Sequence, residues 1–155
     1  ALLAIISVVI QAIVVSIFKR WLFKGLERPV AFFPDGTPLQ FVDGVEVHLH
    51  NTFPSGHPIP AFAVFAILFL IWDQRNVAWA LAMFFMAFSV AFSRVYLLQH
   101  FIVDVFFGAW FGVLSVIAGI WFLEKFTGDR TRSRLWSGSL RLLGQRKTTT
   151  TPTPL

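Results

Sequence analysis

The sequence predicts an all-α membrane protein, a bundle of transmembrane helices, and three observations carry that reading. Of 155 residues, 56% are hydrophobic and only 14% charged, whereas a soluble domain is roughly half apolar and a quarter charged. The apolar residues are gathered into four long blocks. The ionisable residues stand mostly where those blocks end, at the depth where a membrane helix meets water. The length suits one domain.

Block one, Ala1 to Phe18, is broken only by Ser7, Gln11 and Ser16. It has neither a charged leader nor a small-residue cleavage site, so it reads as a mature start or a truncated chain rather than a signal peptide. Block two runs from about Ile59 to Trp72, block three from Val77 to Leu98, and block four from Phe101 to Leu123. A spanning helix needs about 20 mostly apolar residues. Block two reaches that length if its helix begins near Ser55, with Pro58 and Pro60 in the first turn, where a missing N–H costs little. In block four Gly108, Gly112, Ser115 and Gly119 read as a close-packing face rather than as chemistry.

Between blocks one and two, Leu39 to Val42 alternates into Asp43-Gly44 and on through Val45 to Leu49. An Asp-Gly turn between alternating stretches predicts a β-hairpin, a small extramembrane lid. Pro34-Asp35-Gly36 predicts another turn. His48 and His50 share a face of the predicted hairpin. With no third ligand in view they read as lid or surface residues rather than as a metal site.

The net charge of +5 is concentrated after block four, in Arg130, Arg132, Arg134, Arg141, Arg146 and Lys147. A juxtamembrane cluster of this kind points to the cytoplasmic side of a bilayer rather than to nucleic acid. Residues 1–125 form the predicted transmembrane domain and 126–155 a basic cytoplasmic tail. The Thr- and Pro-rich end of that tail, Thr148 to Leu155, reads as disordered. The short turn Asp73 to Asn76 falls on the cytoplasmic side as well. Residues 19–53 and the junction of blocks three and four then lie on the opposite face. The absence of cysteine excludes disulfides and thiolate metal sites.

The outer ends of the blocks collect the chemistry. His100 and Asp104 are four apart and share a helix face. A carboxylate on one ring nitrogen fixes the tautomer and leaves the other nitrogen free to act as nucleophile or base. The same pair also fits a capping histidine with an acidic first turn. Arg28 and Arg94 can grip phosphate oxygens bidentately, and Lys19 adds a point charge. For Arg94 the plainer reading is snorkelling. In Pro54-Ser55-Gly56-His57, Gly56 allows an anion close to backbone N–H groups, Ser55 offers a hydroxyl, and His57 can deliver a proton. A simple serine N-cap is the alternative.

Taken together, these segments resemble the type 2 phosphatidic acid phosphatase superfamily, whose motifs are K-x6-R-P, P-S-G-H and S-R-x5-H-x3-D. The third is present without deviation in Ser93-Arg94, His100 and Asp104, and the second is Pro54 to His57. The first departs: Arg28-Pro29 is present, but Trp21 stands where the lysine is expected, which leaves Lys19 as the favoured candidate and Lys24 as the runner-up. The resemblance covers about Ala1 to Leu123. It implies a lipid phosphatase without metal or other cofactor. His100 would attack phosphorus, Asp104 orient it and His57 protonate the leaving group, while Lys19, Arg28, Arg94, Ser55, Ser93 and the Gly56 N–H hold the phosphoryl oxygens.

The implied substrate is a lipid phosphate or diphosphate. The implied location is a bacterial inner membrane, with the site facing the periplasm. Lipid-acting members have six spanning helices, so the four blocks correspond to the last four of a six-helix bundle. Either two helices precede Ala1 or the chain is a four-helix variant. The soluble haloperoxidases of the superfamily do not fit the continuous apolar blocks. A protein that binds or transports the phosphate lipid without hydrolysis is the alternative function.

Overall fold

The computed structural model describes residues 1–33, 35–71 and 76–127. The basic tail with its Thr- and Pro-rich end, most of the predicted cytoplasmic turn, and Pro34 lie outside the described residues.

The helix α1 (Leu2–Ile17) continues into a π-helical turn over Phe18–Leu22. A single turn, α2 (Pro29–Phe32), begins at a proline, whose fixed φ and missing N–H suit a first helical position. Three longer helices follow: α3 (Pro58–Ile71), α4 (Val77–Tyr96) and α5 (Ile102–Thr127). The Asn76 side chain caps α4 by accepting the Trp79 N–H at 3.3 Å.

Three of these helices are long and apolar enough to cross a membrane: Leu2–Leu22, Val77–Tyr96 and Ile102–Phe126. Their large side chains face outward, with Val8 60%, Phe85 59% and Ile117 55% exposed, a distribution suited to lipid rather than water.

Two expectations are corrected here. Among the described residues the second block forms a helix over Pro58–Ile71, which starts at Pro58 rather than near Ser55. The cause is local: a residue that precedes proline is pushed out of the α region, so His57 stays outside and the helix starts at Pro58, not near Ser55. Helices that would complete a six-helix bundle find no support among the described residues.

The β-hairpin lid is the second correction. The turn exists, with Gly44 at φ +79° and the Val45 N–H donating to the Val42 carbonyl at 3.3 Å. Its arms do not pair. Among the described residues the only bridge made by this segment joins His50 to Glu27, and the Glu46 carbonyl accepts from the Gln99 side chain at 2.8 Å. Phe41, Val42 and Leu49 remain exposed, so no buried face rewards pairing of the two arms.

Within residues 1–119, α3 packs against α4 and touches α1, and Phe62, Ala87, Ala91 and Val105 form a small buried core. The glycines of α5 allow the closest approach. A Cβ on Gly108 would stand 2.7 Å from the Ser55 carbonyl oxygen, and one on Gly112 would collide with the Ile59 carbonyl oxygen and lie 3.1 Å from the Ala63 nitrogen. A polar contact joins α1 to α5 in the apolar layer: the Gln11 amide donates to the Ser115 hydroxyl at 3.0 Å, and that hydroxyl donates to the Gly112 carbonyl at 2.7 Å.

Candidate active site

The site is built where α4 turns into α5. Leu98 takes a left-handed φ of +55° just past the end of α4, and the N–H groups of Gln99 and His100 both return to the Arg94 carbonyl, at 3.0 and 3.2 Å. This reversal is a helix C-terminal motif, usually made with glycine. It brings His100 back against the helix end that bears Arg94. α5 begins two residues later, and Asp104 in its first turn accepts the Phe101 N–H at 2.9 Å. His100 Nδ1 and Asp104 Oδ2 stand 3.6 Å apart, and both residues are buried.

A loop from residue 49 to 57 closes over this pair. It is tied to the chain ahead of α2, with the Arg28 N–H donating to the Leu49 carbonyl at 2.8 Å and the Thr52 N–H donating to the Leu26 carbonyl at 3.2 Å. Phe53 anchors it in an aromatic cluster, its ring centroid 4.9 Å from Phe23, 5.5 Å from Phe107 and 5.9 Å from Phe18. The Ser55 N–H then donates to the Asp104 carbonyl at 3.1 Å. The Pro54-to-His57 segment is thereby fixed to the first turn of α5. Gly108 has no room for a side chain because the Ser55 carbonyl lies against it.

Arg28 is buried and held from two sides. Its Nε donates to the His50 carbonyl at 3.0 Å, and its Nη1 donates to the Gln99 side-chain oxygen at 2.6 Å and to the Gln99 carbonyl at 3.2 Å. Arg94 Nε contacts the Ser93 hydroxyl at 3.3 Å, and that hydroxyl donates to the Val90 carbonyl at 2.8 Å. Ser93 is therefore turned toward its own helix and braces Arg94. The Ser55 hydroxyl is fully buried and has no hydrogen-bond partner among the described residues. Gly56 has open space on its side-chain face, so neither packing nor a positive φ demands glycine there.

The charges converge. Burial lowers the basicity of His57 below the ordinary histidine value, and the charges of Arg94, His100, Lys19 and Arg28 lower it further. Burial also lowers His100; the adjacent Asp104 carboxylate opposes that, while Arg28 and Lys19 reinforce it. The same shift holds His100 in the neutral form that a nucleophile requires and makes His57, when protonated, a stronger acid. Among the described residues, no group of three His, Cys, Asp or Glu side chains could hold a metal ion.

A family model described as the PAP2 superfamily matches residues 1–127. This chain belongs to the PAP2 superfamily. The bacitracin transport permease protein BcrC of Bacillus licheniformis is 31% identical over 100 residues, which cover 64% of this chain and 45% of BcrC. The chain thus spans less than half the length of that curated relative. The crystal structure of Aquifex aeolicus LpxE aligns with a TM-score of 0.60 at 22% identity, covering 77% of this chain and 66% of that one. That second likeness is one of fold.

Within this PAP2 chain, Lys19 lies half-buried on the π-helical turn, and its charge acts on both histidines. Lys24 is exposed. Were these cations to hold a phosphoryl group, Lys19→Ala would cut kcat/KM for phosphate release about 10- to 100-fold. Lys24→Ala should stay near wild type. A larger loss at Lys24 would reverse the assignment.

Thr52 and Gln99 are two buried polar residues that the sequence did not single out. Thr52 contacts Asp104 and His100, and Gln99 links Arg28 to the Glu46 carbonyl. Each stands immediately beside a motif, Thr52 two residues before Pro54 and Gln99 directly before His100. Adjacency was the available signal, but a lone Thr or Gln in a loop carries no chemistry of its own.

Proposed function

We propose that this protein is a membrane phosphatase acting on a phosphomonoester or diphosphate of a lipid, through a phosphohistidine formed on His100. The observation that carries the reading is a buried His100–Asp104 pair, with Lys19, Arg28 and Arg94 exerting their charge on the adjoining His57. Phosphoryl transfer asks a protein mainly for positioning and for charge stabilisation, and a ring of cations supplies both.

In the proposed reaction the Nε2 lone pair of His100 attacks phosphorus, and the bond from phosphorus to the leaving oxygen breaks. His57, which enters as the imidazolium, gives its proton to that oxygen and, now neutral, becomes the base that takes a proton from water. The water attacks the phosphohistidine, which releases inorganic phosphate and restores His100. Arg28, Arg94 and Lys19, with the Ser55 hydroxyl and the Gly56 N–H, hold the phosphoryl oxygens, and Ser93 supports Arg94. Asp104 stabilises the orientation of His100.

The amphiphilic substrate fits the surroundings. An apolar groove of about 610 Å³ between α3, α4 and α5 has Val95 and Ile102 in its lining, which flank the segment that carries His100. It offers hydrocarbon an adjoining surface. The active site is proposed to face the periplasm across a bacterial inner membrane.

The name of BcrC, a transport permease, favours a second reading in which the cations bind a phosphate lipid without cleaving it. An oriented imidazole is superfluous for binding alone. The deciding experiment presents purified protein in detergent with undecaprenyl diphosphate, phosphatidic acid, phosphatidylglycerol phosphate and a lipid A phosphate. Release of inorganic phosphate from at least one, resistant to EDTA and inhibited by vanadate, is the expected result. Binding of these lipids with no release from any would establish the second reading instead.

A further inference from the structure

We infer that Thr52 is a positioning residue that sets the tautomer of His100 by relaying the negative charge of Asp104 through its hydroxyl. The inference rests on the proposed function, because it assigns to Nε2 of His100 the lone pair that the reaction uses.

The geometry is specific. At 3.6 Å, His100 Nδ1 and Asp104 Oδ2 are beyond the range of a hydrogen bond. Thr52 Oγ1 contacts both: it donates to Asp104 Oδ2 and lies 3.3 Å from His100 Nδ1. An ionised carboxylate can only accept, so the single hydroxyl hydrogen of Thr52 must point at Asp104. What Oγ1 then presents to the imidazole is a lone pair. The ring nitrogen facing it must carry the hydrogen, which leaves Nε2 unprotonated.

The arrangement is also held in place before any substrate arrives. Thr52 is 4% exposed, so water does not compete for its hydroxyl. Its backbone N–H is fixed to the Leu26 carbonyl, and its neighbour Phe53 is locked in the aromatic cluster. The same Asp104 oxygen, Oδ2, also accepts the Phe101 N–H. The hydroxyl therefore joins two groups that stand too far apart for a direct hydrogen bond.

Four variants test this: Thr52→Val, which keeps the shape without the hydroxyl, Thr52→Ser, which keeps the hydroxyl, Asp104→Asn, and the Thr52→Val/Asp104→Asn double variant. Loss of alignment at the reacting atom is expected to lower kcat of Thr52→Val about 10- to 100-fold. KM and the inhibition constant of vanadate should stay within about threefold of wild type, because the oxyanion ligands are untouched. Thr52→Ser should restore kcat to within about threefold. The double variant should be no slower than Asp104→Asn alone, since the two groups act in series.

A Thr52→Val enzyme with wild-type kcat overturns the inference. So does a Thr52→Ser enzyme as slow as Thr52→Val, which would make the role one of packing. Additive losses in the double variant overturn it as well. Thr52→Ala takes the place of Thr52→Val, with the same outcomes, if the latter does not fold. His100→Ala separates the two levels: if that variant retains activity the phosphatase mechanism itself fails, whereas an inactive His100→Ala beside a normal Thr52→Val removes only the role of Thr52.

Discussion

His100→Ala is expected to abolish phosphate release, lowering kcat by a factor on the order of 10,000 or more, as loss of a covalent nucleophile does elsewhere. The variant should still fold. The N–H of residue 100, which returns to the Arg94 carbonyl at 3.2 Å, is a backbone group and survives the substitution. The Thr52–Asp104 contact and the Phe101–Asp104 bond also remain, so the first turn of α5 keeps its partners. Parallel measurement of the melting temperature in detergent and of phosphate release checks both halves. Activity within a few-fold of wild type in a folded His100→Ala protein would remove His100 as nucleophile, whatever the fate of the surrounding cations.

Gly112→Ala should be the most damaging single-methyl substitution in the transmembrane region. The added Cβ would run into the Ile59 carbonyl oxygen and lie 3.1 Å from the Ala63 nitrogen, and both are helix backbone atoms that no rotamer change can move aside. Overpacking of this kind typically costs about 1–3 kcal/mol, and more where only backbone can yield. Lower melting temperature and poor recovery of monodisperse protein are the expected readouts.

Gly108→Ala meets the Ser55 carbonyl at 2.7 Å and should lose activity alongside stability, because the displaced segment carries Ser55, Gly56 and His57. Gly56→Ala provides the control. Its Cβ would meet no atom within 4 Å, so its melting temperature should match wild type. Equal melting temperatures for Gly112→Ala and Gly56→Ala would contradict the close approach of α5 to α3.

Both experiments bear on features that differ in how they could be read. The helical character of the four apolar blocks follows from composition and block length, and α1, α4 and α5 fall on blocks one, three and four. The packing role of Gly108 and Gly112 was also visible, since small residues four apart in a lipid-facing helix have few other uses. α3 starts at Pro58 rather than near Ser55 because the penalty that Pro58 imposes on His57 outweighs the apolar pattern that follows. The hairpin was misread because an Asp-Gly turn specifies a reversal, whereas pairing of its arms needs a buried face, and Phe41, Val42 and Leu49 find none.

By itself, the sequence determined the family and which residues carry ionisable or nucleophilic groups at helix ends: the spacing of Ser93, Arg94, His100 and Asp104 and the run Pro54 to His57 are properties of the chain written out in order. Only the tertiary structure decided what those groups touch. That Arg28 is gripped by Gln99, that Ser93 turns to its own helix, and that Thr52 stands between His100 and Asp104 depend on a left-handed Leu98 and on a loop pinned by Phe53. The physical reason is range. Periodicity and motif spacing report interactions within a few residues, whereas the Thr52–His100 contact joins residues 48 apart and forms only after the helices have packed.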